Sequence, residues 1–379
     1  MVDLLVKKAI AVFVLLPLFT VLSFAVVSVN AASAVVMNAD TNEVVFSVSA
    51  HERRSMASTT KIMTALIALE SGRIQETVRI TPEMTGADGT SIGLKTDYEV
   101  RLLDLLYGLM LESGNDAADA IAVYLAGSRE DFAALMNRKA AEIGMKDTNF
   151  VTPSGLDDEK HYTTAYDMAL LASYAVKNPA FREICSTKYK TVSFVKPDIN
   201  ATFSNHNRLL SSYPGAIGIK TGFTKKSGRC LVSAAERDGV CFVCVTLNDG
   251  DDWNDHRKML DYAFEKVSTE ILQVNNTCKV SVQGSSVSRI TVKAESEALY
   301  SYCGEKKAVT AKVILPRFVY APVKKGDALG RVEYYLENRK IAEQNLVCQQ
   351  NADANEPSFV QKKSFIRRIF EKFKLIGEK

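Results

Sequence analysis

The 379-residue sequence is poor in the residue types that mark specialised classes of protein. It has one tryptophan, 9 prolines and 20 glycines, which excludes collagen-like and low-complexity chains. Charged residues make up 24% of the chain and nearly cancel, to a net charge of +3, and we expect no nucleic-acid partner. With 47% hydrophobic residues, the chain is long enough for two globular domains.

The seven cysteines do not form a disulfide framework, because they are odd in number and scattered. Cys241 and Cys244 have the spacing of a metal-binding C-x-x-C pair but lie in the apolar run GVCFVCVTL, which is typical of a buried strand. Residues three apart on a strand point to opposite faces, so we expect buried thiols and no metal site. A disulfide between two of the three cysteines Cys278, Cys303 and Cys348 remains an alternative.

The first 31 residues have the composition of a secretory signal peptide. Lys7 and Lys8 precede an uncharged apolar run from Ala9 to Val29, and small residues follow it, which favours cleavage after Ala31. The sequence therefore predicts an exported protein. The same run is long enough to span a bilayer uncleaved, and this alternative stays open.

Hydrophobic spacing predicts an α/β (α+β) domain over residues 32–268. Strand-like runs occur at both ends of this region and helical spacing lies between them, so we expect one antiparallel sheet packed against helices. Over residues 273–350, short alternating runs predict a small all-β domain. A polar linker, residues 351–363, follows it.

The last segment, residues 364–379, is predicted to be an amphipathic helix that associates with a membrane surface. Its apolar side chains share one side of a helical wheel, except Leu375. Residues 361–379 hold seven Lys or Arg against two Glu, and such a helix lies in the lipid interface with its cations toward anionic headgroups. The alternative is a helix docked on the protein itself.

A hydroxyl and an amine lie three residues apart in the stretch MASTTKIMTAL. Residues at this spacing share a helix face, so Ser58 and Lys61 can touch as a nucleophile and its base. The alternative is a helix cap beside a surface lysine. A second S-x-x-K, from Ser193 to Lys196, alternates like a strand, which would turn its two side chains to opposite faces. Only the first copy can work as a pair.

Two motifs downstream supply further groups that serine acyl transfer needs. Ser-Gly-Asn at residues 113–115 lies in a break between two apolar helices, and Lys-Thr-Gly at residues 220–222 lies on a strand. Gly218 and Gly222 would let a ligand backbone lie close to that strand. Acyl transfer needs an activated hydroxyl, a proton shuttle, an oxyanion hole and a substrate anchor. The ordered trio is therefore far more specific than any one motif.

With these motifs in this order, the chain from Ala34 to Phe264 resembles the serine-type D-Ala-D-Ala carboxypeptidases of the peptidase S11 family, which are low-molecular-mass penicillin-binding proteins. GLDDEKHYTTAYDMA and NHNRLL also resemble stretches of that family. The resemblance implies a hydrolase without cofactor that removes the terminal D-alanine from peptidoglycan pentapeptides. It also implies covalent inhibition by β-lactam antibiotics.

The resemblance assigns a role to each motif residue. Ser58 would attack the peptide carbonyl, and a neutral Lys61 would take its proton, since burial lowers the pKa of a lysine. Ser113 would pass the proton to the leaving D-alanine, and the N–H groups of Ser58 and Phe223 would form the oxyanion hole. The residues assigned to substrate binding are Asn115, Lys220, Thr221, Gly222 and Phe223.

One departure from the family concerns the subsite for the terminal carboxylate. Many members carry an arginine near the position of Asp252, where this chain reads Asp251-Asp252-Trp253. Arg229 and Arg257 are the candidates to replace it.

Two other functions remain as alternatives to a carboxypeptidase. A class A-like β-lactamase shares the three motifs but needs a deacylating glutamate, and no E-x-x-x-N segment lies between Asn115 and Lys220. A non-catalytic wall-binding protein would not need to keep the motif residues. A Ser-His-Asp triad would need one of the four histidines beside an exposed serine and is disfavoured.

The two S-x-x-K copies give an internal control for the catalytic hypothesis. We expect Lys61→Ala to abolish covalent labelling by a penicillin, since the nucleophile loses its base. Lys196→Ala should keep wild-type labelling, as measured by intact mass. Equal labelling of the two variants would contradict the motif assignment.

Overall fold

A computed structural model of the protein describes residues 27–273 and 278–355. Most of the predicted signal peptide, and the whole predicted tail helix at residues 364–379, lie outside the described residues. Within the described part of the chain, no helix is long and apolar enough to cross a membrane.

From residue 27 to residue 266 the chain contains both strands and helices. The strands are β1 (Ser33–Asn38), β2 (Val44–Val48), β3 (Thr77–Arg79), β4 (Glu99–Arg101), β5 (Tyr189–Ser193), β6 (Asn200–Ser204), β7 (Ala216–Thr224), β8 (Gly228–Arg237) and β9 (Val240–Leu247). The helices are α1 (Lys61–Glu70), α2 (Leu102–Leu111), α3 (Asn115–Ala126), α4 (Arg129–Ile143), α5 (Ala165–Ala175), α6 (Pro179–Ser186), α7 (Leu209–Ser212) and α8 (Asp252–Lys266). Short 3₁₀ helices cover Ala57–Thr60 and Pro82–Met84.

One five-stranded antiparallel sheet organises this part of the chain, in the order β2-β1-β9-β8-β7. Two hairpins belong to this sheet, β1 with β2 and β8 with β9. The second hairpin turns at Asp238 and Gly239, whose φ angles of 51° and 76° fit a tight type I′ turn. Strand β7, which carries the Lys-Thr-Gly motif, lies at the edge of the sheet.

Both faces of this sheet are covered by helices. Alternate residues of β1 show the division: Val35 packs into the core that contains α1 to α6, and Val36 packs into the core under α8. Cys241 lies in the first core and Cys244 in the second. The two thiols therefore face opposite sides of β9, as predicted from their spacing.

From residue 267 the chain forms β-strands only, within the described residues. They are β10 (Val267–Leu272), β11 (Cys278–Gln283), β12 (Arg289–Ala294), β13 (Ala298–Cys303), β14 (Val309–Ile314), β15 (Phe318–Tyr320), β16 (Ala328–Leu336) and β17 (Arg339–Cys348). Six of them form one sheet in the order β14-β16-β17-β12-β11-β15, and β10 pairs with β13. An α+β region followed by a small all-β region is the predicted fold class.

The end of the all-β region extends further than its strand pattern indicates. Ala352 is buried and pairs with Val323, and the N–H of Asn355 donates to the carbonyl of Gly284. The first residues of the predicted polar linker are therefore attached to the β-structure.

Candidate active site

Ser58 lies in the 3₁₀ turn that immediately precedes α1. Ala57 before it has a φ of 48°, which is uncommon for a residue with a side chain and is held here by its surroundings. Strand β7 passes close beside the turn, because a Cβ on Gly222 would lie 3.1 Å from the nitrogen of Ser58. A glycine at this position lets the edge strand approach the serine backbone.

The amine of Lys61 is fully buried and has three hydrogen-bond partners. Its Nζ lies 3.0 Å from Ser58 Oγ, 2.6 Å from Asn115 Oδ1 and 2.7 Å from the carbonyl oxygen of Ser154. A neutral amine has two N–H groups and one lone pair. Two of the partners, the amide and backbone carbonyls, can only accept, so they take the two N–H groups. The lone pair is then left for the hydroxyl proton of Ser58.

Burial holds the pKa of Lys61 well below its usual value, and the nearby charge of Lys220 lowers it further. Asp119 and Asp116 act in the opposite direction but more weakly. Taking an ammonium out of water is costly, so the neutral form is favoured in this site. Burial therefore shifts Lys61 toward the neutral form, which is the form that a base requires.

The Ser-Gly-Asn motif forms the turn between α2 and α3, where the sequence predicts a helix break. Ser113 has a φ of 65°, and its side chain lines the open cleft described below. Asn115 is oriented at both ends, since its Nδ2 donates to the carbonyl of Asp88 while its Oδ1 accepts from Lys61. The carboxylate of Asp116 accepts hydrogen bonds from the loop of residues 91–94. These contacts fix the turn against its neighbouring loops.

The Lys-Thr-Gly motif lies on β7 with its lysine beneath the surface. Lys220 is buried, which lowers the pKa of its amine to about 7, and its Nζ donates to the carbonyl of Thr221 at 3.0 Å. Thr221, Gly222 and Phe223 line the cleft. Gly218 differs from its predicted role, because a Cβ there would lie 2.6 Å from the carbonyl of Cys185. Its missing side chain makes room for α6 and not for a ligand.

The cleft that joins these motifs has a volume of about 520 Å³. Among the predicted site residues it contains Ser58, Ser113, Thr221, Gly222 and Phe223, whereas Lys61, Asn115 and Lys220 lie behind its wall. Arg229, one of the two candidate arginines, also lines the cleft, together with residues not assigned to the site from the sequence: Thr90, His206, Arg208, Asp252 and Trp253. Arg208 lies in the stretch NHNRLL, which could have indicated it, whereas Thr90 has no motif around it.

Two arginines and the single tryptophan form one end of the cleft. The guanidinium groups of Arg208 and Arg229 lie 6.0 and 5.9 Å from the ring of Trp253. Arg229 is held by the buried carboxylate of Asp252, with contacts of 3.1 and 2.6 Å. Arg257 is not among the lining residues and donates to Asn254 on its own helix. Of the two candidate arginines, only Arg229 is in the cleft.

The second S-x-x-K motif has none of this geometry. Ser193 is exposed at the end of β5, and its hydroxyl donates to Asn200 at 2.6 Å. A buried serine–histidine contact also exists, between Ser233 and His256 at 2.6 Å, but both residues are fully buried. The exposed Ser193 thus bonds to Asn200 and not to Lys196, and the buried Ser233–His256 pair has no access to a substrate.

Comparison with known proteins shows the family to which the chain belongs. Residues 20–251 match the D-alanyl-D-alanine carboxypeptidase family, peptidase S11, and residues 267–354 match the penicillin-binding protein 5 C-terminal domain. The chain belongs to the D-alanyl-D-alanine carboxypeptidase family. Carboxypeptidase activity, predicted above, is confirmed over the β-lactamase and wall-binding alternatives.

Relatives in this family match most of the chain. The carboxypeptidase DacF of Bacillus subtilis is 32% identical over 351 residues and covers 89% of both chains, and DacC of Escherichia coli is 31% identical over 349 residues, covering 86% of this chain and 85% of DacC. Among solved structures, DacD from Francisella tularensis superposes with a TM-score of 0.61 at 27% identity, covering 86% of this chain and 95% of that one. Penicillin-binding protein 5 from Haemophilus influenzae superposes with a TM-score of 0.61 at 26% identity, covering 86% of this chain and 98% of that one.

Proposed function

We propose that this carboxypeptidase removes the terminal D-alanine of peptidoglycan stem peptides through an acyl-enzyme on Ser58. The observation that carries the proposal is the buried amine of Lys61, whose Nζ lies 3.0 Å from Ser58 Oγ and has two carbonyl acceptors for its N–H groups. A serine becomes nucleophilic when an adjacent base can take its proton.

The reaction then proceeds in two steps, acylation of Ser58 and hydrolysis of the acyl-enzyme. Ser58 Oγ attacks the carbonyl carbon of the penultimate D-alanine while its proton passes to Lys61. The C–N bond breaks, and the proton passes by way of Ser113 to the nitrogen of the leaving D-alanine. Water next attacks the ester, which releases the shortened peptide and restores the hydroxyl of Ser58.

The negative charges of the reaction have partners around the nucleophile. The N–H groups of Ser58 and Phe223 are proposed to bind the developing oxyanion, and the close approach of Gly222 to Ser58 supports their pairing. Thr221 and Lys220 are proposed to bind the terminal carboxylate, together with Arg229 in place of the missing family arginine. Asn115, which already accepts a hydrogen bond from Lys61, is proposed to bind the substrate amide as well.

The experiment that tests the nucleophile is intact-mass measurement after incubation with a penicillin, a β-lactam that mimics the scissile peptide. We expect a long-lived adduct on Ser58 in the wild-type protein, and neither adduct nor D-alanine release in Ser58→Ala. The circular dichroism spectrum should be the same for both proteins. Penicillin turnover without an adduct would instead support a β-lactamase, and labelling of Ser58→Ala would refute the assignment.

The proposed carboxylate subsite is tested by substituting Arg229, with Arg257 as the control. We expect Arg229→Gln to lower kcat/KM about 10- to 100-fold on a peptide ending in free D-Ala-D-Ala, which is the usual effect of losing one charge-assisted hydrogen bond. The same peptide with a C-terminal amide should lose much less. Arg257→Gln should change neither value. If Arg229→Gln affects both peptides equally, the role of Arg229 is structural.

The cellular location is proposed as the outer face of the cytoplasmic membrane. We propose cleavage of the signal peptide after Ala31, a catalytic domain over residues 32–268 and a β-domain over residues 273–350. The tail helix at residues 364–379, reached through the linker at 351–363, would bind the membrane surface with its basic face toward anionic lipid. The catalytic cleft would then act on peptidoglycan beside the membrane.

Truncation after Asn355 removes the tail while keeping the contact of Ala352 with Val323. We expect this variant to retain wild-type activity on small peptides and to leave the membrane fraction, because its basic amphipathic segment is gone. Fractionation followed by penicillin labelling measures both properties. A truncated enzyme that still sediments with membranes would contradict the tail anchor and indicate the N-terminal segment.

A further inference from the structure

A chain of hydrogen bonds leads from a buried histidine to the backbone beside the nucleophile. The Nε2 of His161 lies 2.8 Å from the hydroxyl of Thr60, and that hydroxyl lies 2.8 Å from the carbonyl oxygen of Ala57. His161 and Thr60 are buried and do not line the cleft. The chain ends one peptide bond before Ser58.

The partners fix the direction of each hydrogen bond in this chain. His161 Nδ1 accepts from the N–H groups of Val151 at 2.9 Å and Thr152 at 3.4 Å, so it carries no proton. Burial lowers the pKa of His161 to about 4, against weaker opposing effects of Asp158 and Asp157, so the ring is neutral and its proton is on Nε2. The ring therefore donates to Thr60, and the Thr60 hydroxyl donates to the Ala57 carbonyl.

The carbonyl of Ala57 and the N–H of Ser58 belong to one planar peptide unit. In a trans peptide these two groups point in opposite directions, so holding the carbonyl also sets the direction of the N–H. The surroundings agree with this arrangement: a Cβ on Gly155 would lie 1.9 Å from the Ala57 oxygen, and a Cβ on Gly222 would lie 3.1 Å from the Ser58 nitrogen. The carbonyl faces the loop of residues 151–155, and the N–H faces β7.

We propose that His161, acting through Thr60, is a positioning residue that aims the backbone N–H of Ser58 at the oxyanion. Free rotation of this peptide unit would lose an oxyanion donor, and Ala57 already has an unfavourable positive φ that needs support. The same loop supplies the Ser154 carbonyl to Lys61. One loop thus orients both the oxyanion donor and the base. The inference rests on the proposed role of Ser58.

Thr59 provides a matched control one peptide bond earlier. It is buried like Thr60, lies in the same turn, and donates to the carbonyl of Met56 at 2.6 Å. Thr59→Val therefore removes a similar hydrogen bond from the same turn, but that bond does not hold the Ala57–Ser58 peptide unit. A general loosening of the turn would affect both variants alike.

The test compares Thr60→Val and Thr59→Val in the full-length protein by stopped-flow acylation with a penicillin. We expect Thr60→Val to lower the acylation rate constant about 10- to 100-fold with little change in the preceding dissociation constant, because an oxyanion donor acts on the transition state. Affinity for a boronic acid that forms a tetrahedral adduct should fall in parallel. Thr59→Val should stay within about threefold of wild type, and Thr60→Ser, which keeps the hydroxyl, should restore the rate.

The role of His161 is tested by combining its substitution with that of Thr60 in a double variant. His161→Phe should reduce acylation as Thr60→Val does, and the double variant should be no worse than either single one, because both act along one chain. If His161→Phe does not fold, the threonine variants still decide the question. Equal losses in Thr60→Val and Thr59→Val would overturn the inference. Absence of a Ser58 adduct in the wild-type protein would instead overturn the proposed function.

Discussion

The burial of one lysine amine is the constraint on which the site depends. An amine out of water must either lose its proton or find several acceptors, and the hydrogen-bond partners of Lys61 are two carbonyls and one hydroxyl. Those partners come from the 3₁₀ turn before α1, the start of α3 and the loop of residues 151–155. Because three segments meet at one nitrogen, the packing of the helices against the sheet sets the chemistry.

The sequence predicts well what depends on local pattern. Strand alternation, the helix break at residues 113–115 and the opposite orientation of Cys241 and Cys244 follow from spacing alone. The Ser58 and Lys61 pair follows for the same reason, since both lie within one helical turn. Prediction fails where a partner is a backbone group, as with the Ser154 carbonyl, because any residue type can supply it. Thr90 is also missed, since only the tertiary fold brings its loop to the cleft.

The proposed carboxylate subsite depends on an arginine that a neighbouring element holds in place. Asp252, at the start of α8, binds Arg229, which reaches the cleft from β8. The carboxylate limits the mobility of the guanidinium and reduces its net charge. A carboxylate bound at the proposed subsite would meet an arginine whose position is already set, which lowers the entropic cost of binding.

The position of Trp253 makes its fluorescence sensitive to what lies in the cleft. It is the single tryptophan of the chain, and its indole lies 6.0 and 5.9 Å from the guanidinium groups of Arg208 and Arg229 at the cleft wall. The emission of an indole depends on the charges and water beside it, so an anion that displaces either arginine changes the fluorescence of the whole protein. The enzyme therefore carries an intrinsic optical reporter of cleft occupancy, without any attached dye.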